Sequence, residues 1–420
     1  MSTTTQPKLW GDSTNPFWLP DDVIHLVLEY LYAYQLENCT LVCRCWRRIA
    51  QPILFNLATV DATPATPMGL LSFQHFFSGL HTRPDFPSFI LANPGRALLF
   101  KHIKCSTQTN NLASLYAVMP YCTQLRSLTL SSTLAPSFLR QVSLNQFPML
   151  RKLGLTDIPS LRTLIGCFES ISTQTLQELS LTLGKNYTER NVDQAVIKPV
   201  GLPAIRGFSL INNNDSILST FSLLLEYLHP ILQQLHRLVA YTVHLHCTDI
   251  EILVENNEET LRYLDTSEIL YTFDLLPSLL GHRVIEELIL ALPVSPISLG
   301  RHLLKLGNMF LKMKLEELSL RRLSFVVPST YGLLDLGQHS DVWARLAQVL
   351  SQAPYLEMVT LLLEPPSWNQ SSSMHVTTID MEVHPSLSVL RDMGRFDVHY
   401  WTPPGHKPSV ILPSDFVASW

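Results

Sequence analysis

The chain has 420 residues, 46% of them hydrophobic and 15% charged, with a formal net charge of -5. That apolar content excludes global disorder, and the small negative balance supplies no long-range attraction for nucleic acid or an anionic membrane. Seven cysteines form an odd count without framework spacing, the pattern expected of reduced thiols in a cytoplasmic or nuclear protein.

Residues 1–16 read as a flexible N-terminus: Met1 to Trp10 is polar and threonine-rich, with no basic region leading into an apolar one. Gly11-Asp12-Ser13 resembles the start of one esterase family, but Gln6-Pro7-Lys8-Leu9-Trp10 precedes it where that family has a buried strand, so a solvated turn is expected. Residues 17–60 carry three short helical patterns. Asp21 and Asp22 place negative charge at the start of an apolar face at Val23, Ile24, Val27, Leu28 and Leu31. Leu36, Cys39, Val42 and Cys43 repeat the spacing, and Trp46, Ile49, Ala50 and Ile53 begin it again across Pro52. Three helices this short bury too little surface alone, so part of their apolar face is expected to belong to a partner.

These residues resemble the F-box family. The match runs through Leu19-Pro20, Val23-Ile24, Val27, Tyr30-Leu31 and Leu36 to Leu41-Val42-Cys43-Arg44 and Trp46, with Asp22 in place of the usual Glu and Gln35 where Asp is frequent. The resemblance implies that Leu19, Pro20, Ile24, Val27, Leu31, Leu36, Leu41, Val42, Cys43 and Trp46 are contacts to a Skp-type adaptor or the packing behind them.

Residues 61–95 read as a packed connector, rich in Pro and Thr, with an aromatic helix expected around Leu70 to Leu80 to seat Phe73, Phe76 and Phe77. From residue 96 to 401 the motif Leu-x-x-Leu-x-Leu recurs. Clear copies begin at Leu125, Leu150, Leu176, Ile205, Ile285, Leu315 and Leu356, and weaker ones at Phe100, Leu235 and Leu261. The intervals run from 24 to 30 residues, with a last one of 41. Alternation at the fourth and sixth positions turns side chains to one face of a short strand, and helical spacing fills the segments between, as at Leu112, Leu115, Tyr116 and Met119. The expected fold is therefore α/β: three N-terminal helices, then an irregular leucine-rich-repeat solenoid with a parallel sheet on its concave face and helices outside. The eighth position of the repeat, usually Asn or Cys, holds Thr133, Ile158, Gly184 and Asn213, so the turns must close differently. Residues around Asp380 to Trp401 are expected to cap the array, and 402–420 to form a tail.

No residue constellation for catalysis or for a cofactor is visible. There is no Gly-x-Ser-x-Gly, Walker loop or dinucleotide fingerprint, and 16 glycines leave little for phosphate cradles. Cys39, Cys43 and Cys45 fall on helices, and His244, His246 and Cys247 lack a second ligand pair at zinc spacing. Recognition is expected on the solenoid's concave face, where the strand positions opposite the buried leucines include Lys152, Arg237, Tyr263, Asp265, Glu287, Glu317 and Arg321. The neighbouring second position reads Arg126, Arg151, Gln177, Arg206, His236 and Arg262, then Glu286, Glu316 and Glu357: a basic half followed by an acidic one, suited to a protein partner of opposite polarity. The F-box resemblance implies the substrate receptor of a Skp/cullin/F-box ubiquitin ligase, joined through the adaptor to a cullin and RING protein. The alternative is a scaffold that holds an adaptor outside any ligase.

Overall fold

The computed structural model describes residues 20–29, 39–54, 57–62, 71–73, 86–106, 112–171, 173–189, 202–212, 222–241, 247–266, 284–292, 296–312, 318–327, 339–363 and 387–400. The proposed end segments 1–16 and 402–420 lie outside them. Helices α1 (Asp21–Glu29) and α2 (Arg44–Leu54), with helical residues 39–42 between, form the N-terminal unit. The two helices pack together and bury Ile24, Leu28, Ile49, Ala50 and Ile53. Asp21 ties them from the surface, pairing with Arg48 and accepting from the Cys45 thiol at 3.3 Å.

Thirteen strands then form one sheet among the described residues. They are β1 (Leu57–Ala62), β2 (Leu71–Phe73), β3 (His102–Ser106), β4 (Ser127–Ser131), β5 (Lys152–Ser160), β6 (Glu178–Thr188) and β7 (Gly207–Asn212), followed by β8 (Arg237–Tyr241), β9 (Tyr263–Thr266), β10 (Glu287–Ala291), β11 (Arg322–Val327), β12 (Met358–Leu363) and β13 (Phe396–Tyr400). From β3 to β13 each strand lies parallel to the next in chain order, which is the topology of a solenoid. Strand β1 adds in parallel to the outer edge of β3, and β2 runs antiparallel along β1.

The helices between rungs are α3 (Phe86–Ala92), α4 (Leu112–Val118), α5 (Ala135–Gln141), α6 (Leu161–Phe168), α7 (Ser222–Leu228), α8 (Cys247–Glu255), α9 (Pro296–Lys312) and α10 (Ser340–Ser351). Buried leucines at the first, fourth and sixth repeat positions meet the inner faces of these helices. Leu125, Leu128 and Leu130, for example, are fully buried, as are Leu115 of α4 and Phe138 of α5. One continuous core runs from Ile24 and Ile53 in the N-terminal unit to Val398 in the last strand, so the N-terminal helices are built onto the first rung rather than tethered to it.

Each rung is locked to its predecessor by the same device. The carbonyl at the second repeat position accepts two N–H groups from the following rung, as when Arg126 O accepts from Arg151 at 2.8 Å and Lys152 at 3.0 Å. The pattern repeats from Lys101 through Arg126, Arg151, Gln177, Arg206, His236, Arg262, Glu286 and Arg321. Where the repeat lacks its usual asparagine, local side chains close the turns. Ser132 donates its hydroxyl to Asp157 O at 2.6 Å, beside a bulge in β5 where Asp157 takes φ 56°. Buried Asn257 accepts from Leu235 N–H and donates to Leu253 O, both at 2.8 Å, stitching the end of α8 to the entry of β8.

Two sequence expectations are corrected. The copy expected at Leu315 is framed on Leu320, Leu323 and Phe325, because Arg322 pairs with Glu287 in the sheet; the intervals on either side become 35 and 36 residues. Leu71–Phe73, expected within a helix, is the extended strand β2, while Phe76 and Phe77 lie outside the described residues.

Candidate functional site

Two surfaces stand out, one at each level of the structure. On the N-terminal unit, burial of Ile24, Leu28, Ile49 and Ala50 leaves a second set of apolar side chains in solvent. Leu41 is 72% exposed, Val42 64%, Leu26 56% and Val27 49%. Four large apolar side chains are thus held outward within two short helical segments. Of the residues expected to meet an adaptor, Val27, Leu41 and Val42 are exposed, Pro20, Cys43 and Trp46 are half-buried, and Ile24 is core. Leu19, Leu31 and Leu36 lie outside the described residues. Leu26 is a member of this surface that the motif alone did not single out. The cysteines are occupied locally: Cys43 Sγ accepts from Trp46 N–H at 3.5 Å, and no cluster able to hold a metal occurs among the described residues. No helix among them is long and apolar enough to cross a membrane.

The second surface is the sheet of the solenoid, and its two halves differ. Over β3 to β7 the concave positions are His102, Lys104, Ser127, Thr129, Lys152, Gly154, Glu178, Ser180, Gly207 and Ser209, small or polar throughout. Gly154 and Gly207 keep this floor low; a Cβ on Gly154 would sit 2.8 Å from Thr129 Oγ1, and one on Gly207 3.0 Å from Glu178 Cγ. Between β8 and β11 part of the same face closes over, although Arg322 stays exposed. Val239, Ile289 and Val326 form a separate buried cluster with Ile211, Tyr263 and Leu362 against it.

That closure corrects part of the sequence reading. Asp265, expected on an open recognition face, is 1% exposed, with the Tyr263 hydroxyl donating to it at 3.4 Å. Arg237 lies flat on Tyr263, its guanidinium carbon 4.5 Å from the ring centroid. Glu287 is half-buried, and desolvation raises its pKa against the pull of Arg322 and Arg237. Arg321 belongs to the second repeat position, one residue ahead of its strand, and Glu317 lies outside the described residues. Alternation along a strand tells which face a residue takes; it carries no information on what covers that face.

With Arg321 in place of Glu316, the second-position file also changes. Its second half is internally neutral: Arg262 pairs with Glu286 at 2.5 Å and Arg321 with Glu357 at 3.2 Å. The acidic half expected from sequence does not exist. The basic half does. Arg126, Arg151 and Arg206 are exposed, Lys101 is half-buried, and none of the four has an ion-pair partner among the described residues. Beside them Lys152 pairs with Glu178 at 3.4 Å. Burial first, then the positive fields of Arg126, Lys101 and Lys152, push His102 below the ordinary histidine pKa.

Exposed apolar side chains on the N-terminal helices stand ahead of an α/β repeat array with a polar face. Residues 18–56 match the F-box-like family model, and behind them lies a parallel-stranded solenoid built on the leucine repeat. No curated protein matches the chain. Among solved structures it is similar to the leucine-rich repeat-containing protein LegL7 from Legionella pneumophila, at 15% identity over 79% of this chain and 97% of that one, with a TM-score of 0.47. It is also similar to the Rad7 and Elc1 complex in yeast, at 13% identity over 84% of this chain and 91% of that one, with a TM-score of 0.40.

Proposed function

We propose that this chain is the substrate-recognition subunit of a Skp/cullin/F-box ubiquitin ligase. The F-box-like helices bind a Skp-type adaptor through Leu26, Val27, Leu41 and Val42, and the solenoid holds a protein substrate. The observation that carries the reading is the exposure of those four side chains on a unit matching the F-box-like model, beside described core residues that are buried without them. The receptor makes and breaks no bond; it raises the effective concentration of a target lysine near a ubiquitin-loaded conjugating enzyme. The continuous core between docking helices and repeats supports this role, because a rigid bridge fixes the distance between the bound target and the transfer machinery.

Co-purification tests it. Affinity capture of the tagged chain is expected to bring down a Skp-type adaptor and a cullin together. Adaptor without cullin would favour a scaffold outside any ligase, and neither would refute the docking role.

A further inference from the structure

The geometry points to an acidic, extended protein segment as the partner of the solenoid's first half, a reading that rests on the recruiting function proposed above. We infer that Lys101, Arg126, Arg151 and Arg206 bind the carboxylates of such a segment, laid across the entry ends of β3 to β7.

The cations are held in file by the backbone. Their own carbonyls, or that of Gln177 in the same file, carry the paired hydrogen bonds between successive rungs, so the side chains leave the sheet at intervals of one strand. Four strand spacings separate Lys101 from Arg206, roughly 19 Å, which an extended segment of about six residues spans. On a chain of net charge -5 these four cations, without ion-pair partners among the described residues, form a local file of positive charge. In the second half of the file each arginine already has its carboxylate, in Glu286 and in Glu357. A partner's carboxylates would complete in the first half what the protein supplies for itself in the second.

The floor beside the file selects the class of ligand. From β4 to β7 the concave positions hold serine, threonine and glycine beside the Lys152–Glu178 pair, and the half-buried hydroxyls of Thr129, Ser180 and Ser209 are placed to meet a peptide backbone. The same strands present no Phe, Tyr or Trp at their third or fifth positions, and β3 ahead of them only the half-buried His102, so nucleobases find little stacking platform. Four cations are strung over five rungs, with Gln177 on the fourth, which suits monoanions distributed along a chain better than one dianion at a point.

The test uses the full-length chain and fluorescence anisotropy with a labelled Glu-Gly decapeptide, a Gln-Gly decapeptide, a phosphoserine-Gly decapeptide and a ten-nucleotide oligothymidine, at about 50 mM salt. The Glu-Gly peptide is expected to bind at least tenfold more tightly than the Gln-Gly peptide. Arg126→Glu with Arg151→Glu and Arg206→Glu should weaken it at least tenfold, as should the milder pair Arg126→Gln and Arg151→Gln if the triple variant melts early. Arg321→Gln, which touches only the self-paired half, should leave binding within twofold. Equal binding of the Glu and Gln peptides, or full binding by the folded triple variant, would overturn the inference. Tighter binding of the oligonucleotide or of the phosphopeptide would overturn it in favour of phosphate recognition. The peptide is measured without adaptor, so loss of adaptor capture with peptide binding intact would remove the ligase role and leave this surface standing.

Discussion

Leu41→Asp combined with Val42→Asp is expected to abolish capture of a Skp-type adaptor while leaving the fold intact. Both side chains stand more than 60% in solvent, so the free chain loses almost no burial when they change. In the complex the balance reverses. Each carboxylate would be pressed against apolar surface without a partner, at a cost of about 2 kcal/mol or more even after relaxation. Two such sites correspond to a loss of affinity of roughly a thousandfold. Ile24→Asp would be uninformative by comparison, since that residue is core and its loss would unfold the helices themselves. The check is paired: adaptor capture and thermal unfolding of the same preparation. Full capture by the folded double variant would take helical residues 39–42 out of the interface.

Trp343→Ala is expected to cost about 3–5 kcal/mol, the range for truncating a buried large aromatic. Trp343 of α10 is 1% exposed and meets Phe325 of β11 edge-on, ring centroids 5.9 Å apart at 81°. It is the contact through which a helix holds its rung. Its indole N–H has no hydrogen-bond partner among the described residues, which carries a desolvation penalty of about 1–3 kcal/mol. Trp343→Phe removes that penalty while losing part of the volume, so its cost should be well under half that of alanine. Denaturant midpoints of the two variants give the comparison; equal destabilisation would mean that neither packing volume nor the unpaired N–H decides, and that the site requires the indole itself. Because repeats couple mainly to their neighbours, the loss should loosen β10 to β13 first and leave the basic file on β3 to β7 in place.

How far the sequence foretells the structure can be traced through individual residues. The leucine motif places the rungs at Ile103, Leu128, Leu153, Leu179, Phe208, Leu238, Leu264 and Leu288, all of which are buried in the sheet. At Leu320 the motif is degenerate: Leu315-Leu318-Leu320 and Leu320-Leu323-Phe325 both satisfy it, and only pairing with β10 chooses between them. That five-residue shift exchanges Glu316 for Arg321 and turns the expected acidic half of the file into a neutral, self-paired one. Strand β1 has no leucine signature, and its place beside β3 is a long-range pairing that local pattern does not encode. On the docking unit, spacing identifies the helical apolar positions but not their division between core and surface. That division follows from how α1 packs on α2, which buries Ile24 and Leu28 and turns Leu26 and Val27 outward.

The proposed function divides the labour: the N-terminal helices choose the machine, and the first half of the solenoid chooses the target. Hydrogen exchange of the full chain with and without a purified Skp-type adaptor separates the two roles. Adaptor-dependent protection is expected within residues 20–54, with unchanged exchange over β3 to β7. Protection over β3 to β7 with none on the N-terminal helices would contradict it.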